Sequence, residues 1–166
     1  MFASRKKKVI GVYVNEYAVE TINKGKIHIV EPELDMLVHA AVTEGYLKAS
    51  LVPEKADAFL IAVPTRFKVS PESDKIPEPD LRYIESASKA IAPKLEKGNL
   101  VILESTSPVG ATETMVGWLK EARPDLKFSR RETQHDNIDI YIAHCPDRVL
   151  PGHDWMWLVE NYRVIG

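Results

Sequence analysis

The residues best suited to chemistry follow short apolar runs. Tyr13-Val14-Asn15 comes after one run, and Val63-Pro64-Thr65-Arg66 ends a second. Glu104-Ser105-Thr106-Ser107-Pro108-Val109-Gly110 follows a third, and His144-Cys145-Pro146-Asp147-Arg148-Val149-Leu150-Pro151-Gly152 a fourth. Hydroxyls and a glycine at a helix start offer hydrogen-bond donors beside the positive end of the helix dipole. That suits a phosphate or another anionic group. The other reading is that Ser105, Thr106 and Ser107 cap the helix. Thr65 is either a turn residue or a ligand contact, and Asp147 and Arg148 either a surface turn pair or a substrate-facing pair.

These loops need elements to hold them. Val9–Val14, Leu47–Leu51, Ala56–Val63, Asn99–Glu104 and Asp139–His144 read as strands, the best of them continuously apolar. Helices are expected over Glu16–Asn23 and from Glu31-Pro32-Glu33 to Gly45, the latter with Leu34, Leu37, Val38, Ala41 and Val42 on one face. A third runs from an Asp80 cap to about Leu95, with Ile84, Ala87, Ala90 and Ile91 inward. A fourth spans Gly110–Ala122, with Met115, Val116, Trp118 and Leu119 facing the core. Prolines mark Ser70–Pro79 as a loop, and polar residues do the same for Arg130–Asn137. Alternating strands and helices with buried strands indicate an α/β fold, a Rossmann-like doubly wound parallel sheet. In such sheets ligands bind at the carboxyl ends of the strands, where these loops lie.

The 166 residues suit one domain, and 45% apolar with 28% charged is ordinary for a globular protein. A net charge of -2 gives no reason to expect a nucleic-acid or membrane partner. The basic run Arg5–Lys8 reads as a solvated helix end. The single cysteine, Cys145, allows no internal disulfide and fits a reducing cytoplasm. No apolar run approaches membrane-spanning length, and no signal peptide is visible.

Four segments together carry a family resemblance. Ile27-His28-Ile29-Val30-Glu31-Pro32-Glu33-Leu34, Leu60-Ile61-Ala62-Val63-Pro64-Thr65, Leu103-Glu104-Ser105-Thr106-Ser107-Pro108-Val109-Gly110 and Cys145-Pro146-Asp147-Arg148-Val149-Leu150-Pro151-Gly152 resemble the UDP-glucose/GDP-mannose dehydrogenase family. The likeness runs from about Phe2 to the end. It implies NAD as cofactor and a nucleotide sugar as substrate, its C6 alcohol oxidised to a carboxylate for surface polysaccharides such as enterobacterial common antigen. By position, Tyr13, Thr65 and Thr106 correspond to cofactor-binding residues, and Arg148 and Val149 to substrate contacts. The resemblance divides the chain into a partial NAD-binding domain, 1–152, and a tail, 153–166, leading toward a central domain.

The sequence also departs from the family. No Gly-x-Gly-x-x-Gly occurs, and Phe2-Ala3-Ser4-Arg5 directly follows Met1, so the first strand and its phosphate-cradling glycines are expected to be missing. The expected cost is an unpaired edge on Val9–Val14 and on Phe59–Val63, so that the chain is marginally stable, closes the gap by rearrangement, or pairs with another chain. Tyr13 stands where the family has an acid that accepts ribose hydroxyls. Asp147 replaces a glutamate. The family nucleophile lies in a Gly-Gly-x-Cys motif that this sequence lacks, and Cys145 reads instead as a small buried residue. The expectation is a truncated family relative, inactive alone and without catalytic residues of its own. The alternatives are a non-catalytic module that completes a second chain and an independent small reductase, and the expected protein partner is a second copy, as a homo-oligomer, or a complementary chain.

Overall fold

A computed structural model describes residues 2–27, 34–68, 78–129, 137–146 and 165–166. The described residues before Lys55 form one compact unit, and those from Lys55 onward another that includes 165–166.

The first unit opens with a 3-10 turn, Ala3–Arg5, closed by Lys6 in the left-handed region at φ 58. Arg5 to Lys8 are all exposed, as a solvated end requires. Strand β1 (Val9–Val12) pairs in parallel with β2 (Leu47–Ser50), Val9 opposite Leu47 and Val12 opposite Ser50. Between them come helices α1 (Glu16–Asn23) and α2 (Leu34–Thr43). The Asn15 side chain caps α1 by accepting from the Tyr17 N–H at 2.9 Å. On α2, Ala41 is buried while Leu37 is 38% exposed, so the inward stripe is narrower than expected. The expected opening of that helix at Glu31-Pro32-Glu33 lies outside the described residues.

Asn23 closes the outer edge of β2. Its side-chain amide donates to the Ala49 carbonyl at 3.0 Å, and its Oδ1 accepts from the Ala49 N–H at 2.8 Å. One side chain thus does for Ala49 what a neighbouring strand would do.

In the second unit β3 (Ala58–Ile61), β6 (Leu100–Leu103) and β7 (Tyr141–His144) form a parallel sheet with β6 central. Helices α3 (Arg82–Ile91) and α4 (Ala111–Ala122) pack on one face. Phe59, Ile61, Val101, Leu103 and Ile140 meet Ile84, Ile91, Met115, Val116 and Leu119 there as a single buried cluster. On α3 the buried residues are Ile84, Ser88 and Ile91, whereas Ala90 is exposed. Ser88 is tolerated inside because its hydroxyl donates to the Ile84 carbonyl at 2.7 Å. The expected loop at Ser70–Pro79 needs correction at its end. Pro79-Asp80 is strand β5, antiparallel to β4 (Arg66–Phe67), while residues 69–77 are outside the described set.

The outer edge of β7 is closed piecemeal. The Ile140 carbonyl accepts from the Ser129 N–H, the Ile142 N–H donates to Ser129 Oγ, and His144 exchanges both backbone bonds with Gly166. Among the described residues nothing comparable covers the outer edges of β1 or β3: β1 is bonded only to β2, and β3 only to β6.

Replacing Asn23 with alanine should orphan two backbone groups on Ala49, which is 2% exposed. A loss of about 1–3 kcal/mol is expected. Amide exchange at Ala49 should accelerate by roughly ten-fold or more; exchange at the wild-type rate would show that Asn23 does not hold this edge.

Candidate functional site

The site is built at the carboxyl tips of β3 and β6. Parallel pairing sets Ile61 opposite Leu103, so both chains leave the sheet side by side. Beyond that point the ladder continues through Ser105. The Glu104 N–H donates to the Ile61 carbonyl at 2.9 Å, and the Ser105 hydroxyl donates to the Val63 carbonyl at 2.6 Å. Ser105 is 6% exposed, so these bonds are shielded from water.

The Thr65 hydroxyl donates to the Thr106 carbonyl, joining the two loops a residue further out. Neighbouring Ser107 has its Oγ buried and without a hydrogen-bond partner among the described residues. Helix α4 then starts from Gly110, in the left-handed region at φ 87, and no side chain caps it. The three hydroxyls therefore do not serve as caps: Ser105 ties the strands, the Thr106 peptide is held by Thr65, and Ser107 points into a shielded place.

Thr65 leads directly into strand β4. Arg66 pairs with Asp80 across the β4–β5 ladder. The Asp80 carboxylate accepts from Arg82 Nε at 2.9 Å and Nη2 at 2.6 Å, and from the Arg82 N–H at 3.1 Å. The bonds from the Arg82 side chain and then from its backbone lower the Asp80 pKa from 3.8 to about 2.

At the tip of β7, the Cys145 N–H donates to the Leu103 carbonyl at 3.0 Å, and Cys145 is buried and not in a disulfide. This matches a small buried residue. His144 precedes it, with a buried Nδ1 that lacks a hydrogen-bond partner among the described residues. Sequence reasoning gave His144 no role; its place at a strand tip was the available signal.

The structure thus joins Thr65 to Thr106. Tyr13 belongs to the first unit, at the tip of β1, and is 36% exposed. Asp147, Arg148 and Val149 lie outside the described residues. No group of three metal-binding side chains occurs among the described residues, nor does any helix there have the length and apolarity to cross a membrane.

A parallel sheet with hydroxyl-bearing loops at its carboxyl tips defines a nucleotide-binding α/β unit. The profile of the UDP-glucose/GDP-mannose dehydrogenase family, NAD binding domain, matches residues 1–166, and the chain belongs to that family. It is 62% identical over 165 residues to the UDP-N-acetyl-D-mannosamine dehydrogenase of Yersinia pestis, covering 99% of this chain and 37% of that protein. It is 59% identical over 166 residues to the NDP-N-acetyl-D-galactosaminuronic acid dehydrogenase of Ralstonia nicotianae, covering 100% of this chain and 37% of that one. The UDP-N-acetyl-mannosamine dehydrogenase structure from S. aureus superposes with a TM-score of 0.86 at 35% identity, over 100% of this chain and 37% of that one. The chain therefore spans about 37% of the length of these relatives.

The described residues fit NAD in part. The tips of β3 and β6 offer a fixed peptide and a buried, unpartnered hydroxyl, which suit a polar ligand atom. The tip of β1, in the first unit, carries the phenol of Tyr13, which has a single hydroxyl.

The lowered Asp80 pKa has a pH signature. Its stabilising contribution is complete above the unfolded value of 3.8 and is lost as pH falls through about 2. Asp80→Asn should therefore melt below wild type at neutral pH, and the gap should close between pH 4 and pH 2. A gap unchanged across that window would show that the carboxylate charge does not hold this loop.

Proposed function

We propose that these residues form the dinucleotide-binding part of an NAD-dependent nucleotide-sugar 6-dehydrogenase of the UDP-N-acetyl-D-mannosamine type. The observation that carries this reading is the Thr65 hydroxyl on the Thr106 carbonyl, beside the buried, unpartnered Ser107 Oγ. Thr65 fixes the orientation of the Thr106 peptide. Ser107 offers a donor and an acceptor where water does not compete, which strengthens any bond a ligand makes there. When bound, NAD supplies the hydride acceptor for oxidation of a sugar alcohol.

Arg148 and Val149 are proposed substrate contacts, carried by family position. No catalytic group is assigned to these 166 residues. Residues 1–152 are proposed as the NAD-binding part and 153–166 as the lead into a central domain. The wider setting proposed is cytoplasmic synthesis of precursors for surface polysaccharides such as enterobacterial common antigen, by a homo-oligomer.

One observation favours a second reading, a non-catalytic module that completes another chain. Among the described residues no strand pairs with the outer edges of β1 and β3, and a strand from a partner would pair their backbone donors and acceptors. Co-purification of a protein carrying a Gly-Gly-x-Cys motif separates this reading from the first.

Calorimetric titration tests the cofactor site. The chain should bind NAD, and Thr65→Val and Ser107→Ala should each weaken binding by about 2- to 10-fold, the effect of one hydrogen bond. Absence of binding, or full affinity in both variants, would refute the reading. NADH formation from NAD and UDP-N-acetyl-D-mannosamine by the pure chain would contradict the proposal that these residues serve only in binding.

A further inference from the structure

Among the described residues two buried side-chain atoms lack a hydrogen-bond partner, Ser107 Oγ and His144 Nδ1. Ser107 belongs to the loop that enters α4. His144 stands at the carboxyl tip of β7, in the same unit.

The register sets this imidazole at the end of an apolar row. His144 lies opposite Leu103, and Leu103 opposite Ile61. Ile61 is 3% exposed and Leu103 0%, both in the core under α3 and α4. Residues opposite one another in a sheet share a face, as do alternate residues of one strand. Ile142, two residues before His144, packs against that same core. An apolar side chain would complete the row and leave no polar atom unmatched in a place closed to water. The backbone holds the imidazole there. The His144 N–H donates to the Gly166 carbonyl at 2.7 Å, and the His144 carbonyl accepts from the Gly166 N–H at 2.9 Å. On the other side the Cys145 N–H donates to the Leu103 carbonyl at 3.0 Å.

The chemistry of the place selects the ligand group. An imidazole Nδ1 donates or accepts according to its tautomer. A primary carboxamide carries a donor and an acceptor, and so meets either form. A phosphate suits the place less. Its row-mates are apolar, and Glu104, next after Leu103, brings a carboxyl group to the same end of β6. In NAD the carboxamide is borne by the nicotinamide, the ring that takes the hydride. That ring must face the sugar. Arg148 and Val149, the proposed sugar contacts, follow His144 by four and five residues, within about 18 Å of extended chain.

We propose that His144 is a binding residue for the nicotinamide carboxamide, which it holds through Nδ1, and that it thereby positions the hydride-accepting ring at the tip of β7. This rests on the reading that the chain binds NAD.

Calorimetry with NAD and with ADP-ribose, which lacks the nicotinamide, tests this on the full chain without turnover. His144→Phe keeps a ring of similar size and removes Nδ1. It should weaken NAD by about five-fold or more and leave ADP-ribose within about two-fold of wild type. His144→Asn, whose amide reaches the position of Nδ1, should keep NAD within about three-fold. Nuclear magnetic resonance on wild-type chain with isotope-labelled histidine needs no substitution to fold. There NAD should move the His144 Nδ1 resonance and ADP-ribose should not. Equal weakening of both ligands in folded His144→Phe overturns the inference. So does unchanged NAD affinity in that variant, or an Nδ1 resonance that NAD leaves in place. Failure of wild type to bind either ligand removes the cofactor reading and this inference with it, so the two failures are distinguishable.

Discussion

The hydroxyl of Ser105 on the carbonyl of Val63 is the bond on which the site depends. Two parallel strands that end together must both release their chains at one end, and their last backbone groups then lack partners. Ser105 meets that need with a side chain, in a place closed to water. The loops after β3 and β6 therefore leave the sheet in a fixed relation. Thr65 and Thr106 meet one residue further out, with Ser107 next in the chain. The same economy recurs elsewhere: Asn23 closes β2 through Ala49, and Ser129 closes β7 through Ile140 and Ile142.

Charge works on the frame around the site. Asp80 joins β5 to the start of α3 through Arg82, and its ladder partner Arg66 adjoins Thr65. Arg123 holds the other end of α3. Its guanidinium donates to the Ala92 and Leu95 carbonyls at 3.0 and 2.8 Å, in the segment that follows α3. It also pairs with Asp125 at 2.8 Å, which keeps the Arg123 charge in place and holds the Asp125 carboxyl below its usual value. The helix that lines the core is thus tied down at both ends, one of them next to the loop that carries Thr65.

Much of this was legible in the sequence, for physical reasons. Unbroken apolar runs at Phe59–Ile61 and Leu100–Leu103 point to parallel strands, which β3 and β6 are, although Leu60 is 39% exposed and β3 buries only alternate residues. Asn15 and Gly25 bracket α1 because a side-chain cap starts a helix and a left-handed residue, here at φ 70, ends it. Other features turn on tertiary context. Ser88 is buried and Ala90 exposed because the inward stripe follows the spacing of Ile84 and Ile91, and polarity alone does not show that Ser88 can bond back to Ile84. Strand β5 was hidden because a two-residue ladder has no period, and its proline suggests a turn. The hydroxyls after β6 invited a capping interpretation that Gly110 removes, and the unpartnered atoms of Ser107 and His144 have no signature in sequence.

The central claim is that the tips of β3 and β6 bind a dinucleotide. A crystal structure of the chain soaked in NAD tests it most directly. The account predicts a ligand oxygen or nitrogen within hydrogen-bond distance, about 3.2 Å, of Ser107 Oγ, with Thr65 still on the Thr106 carbonyl. Density for NAD bound elsewhere, with Ser107 Oγ turned to another protein group, would contradict it.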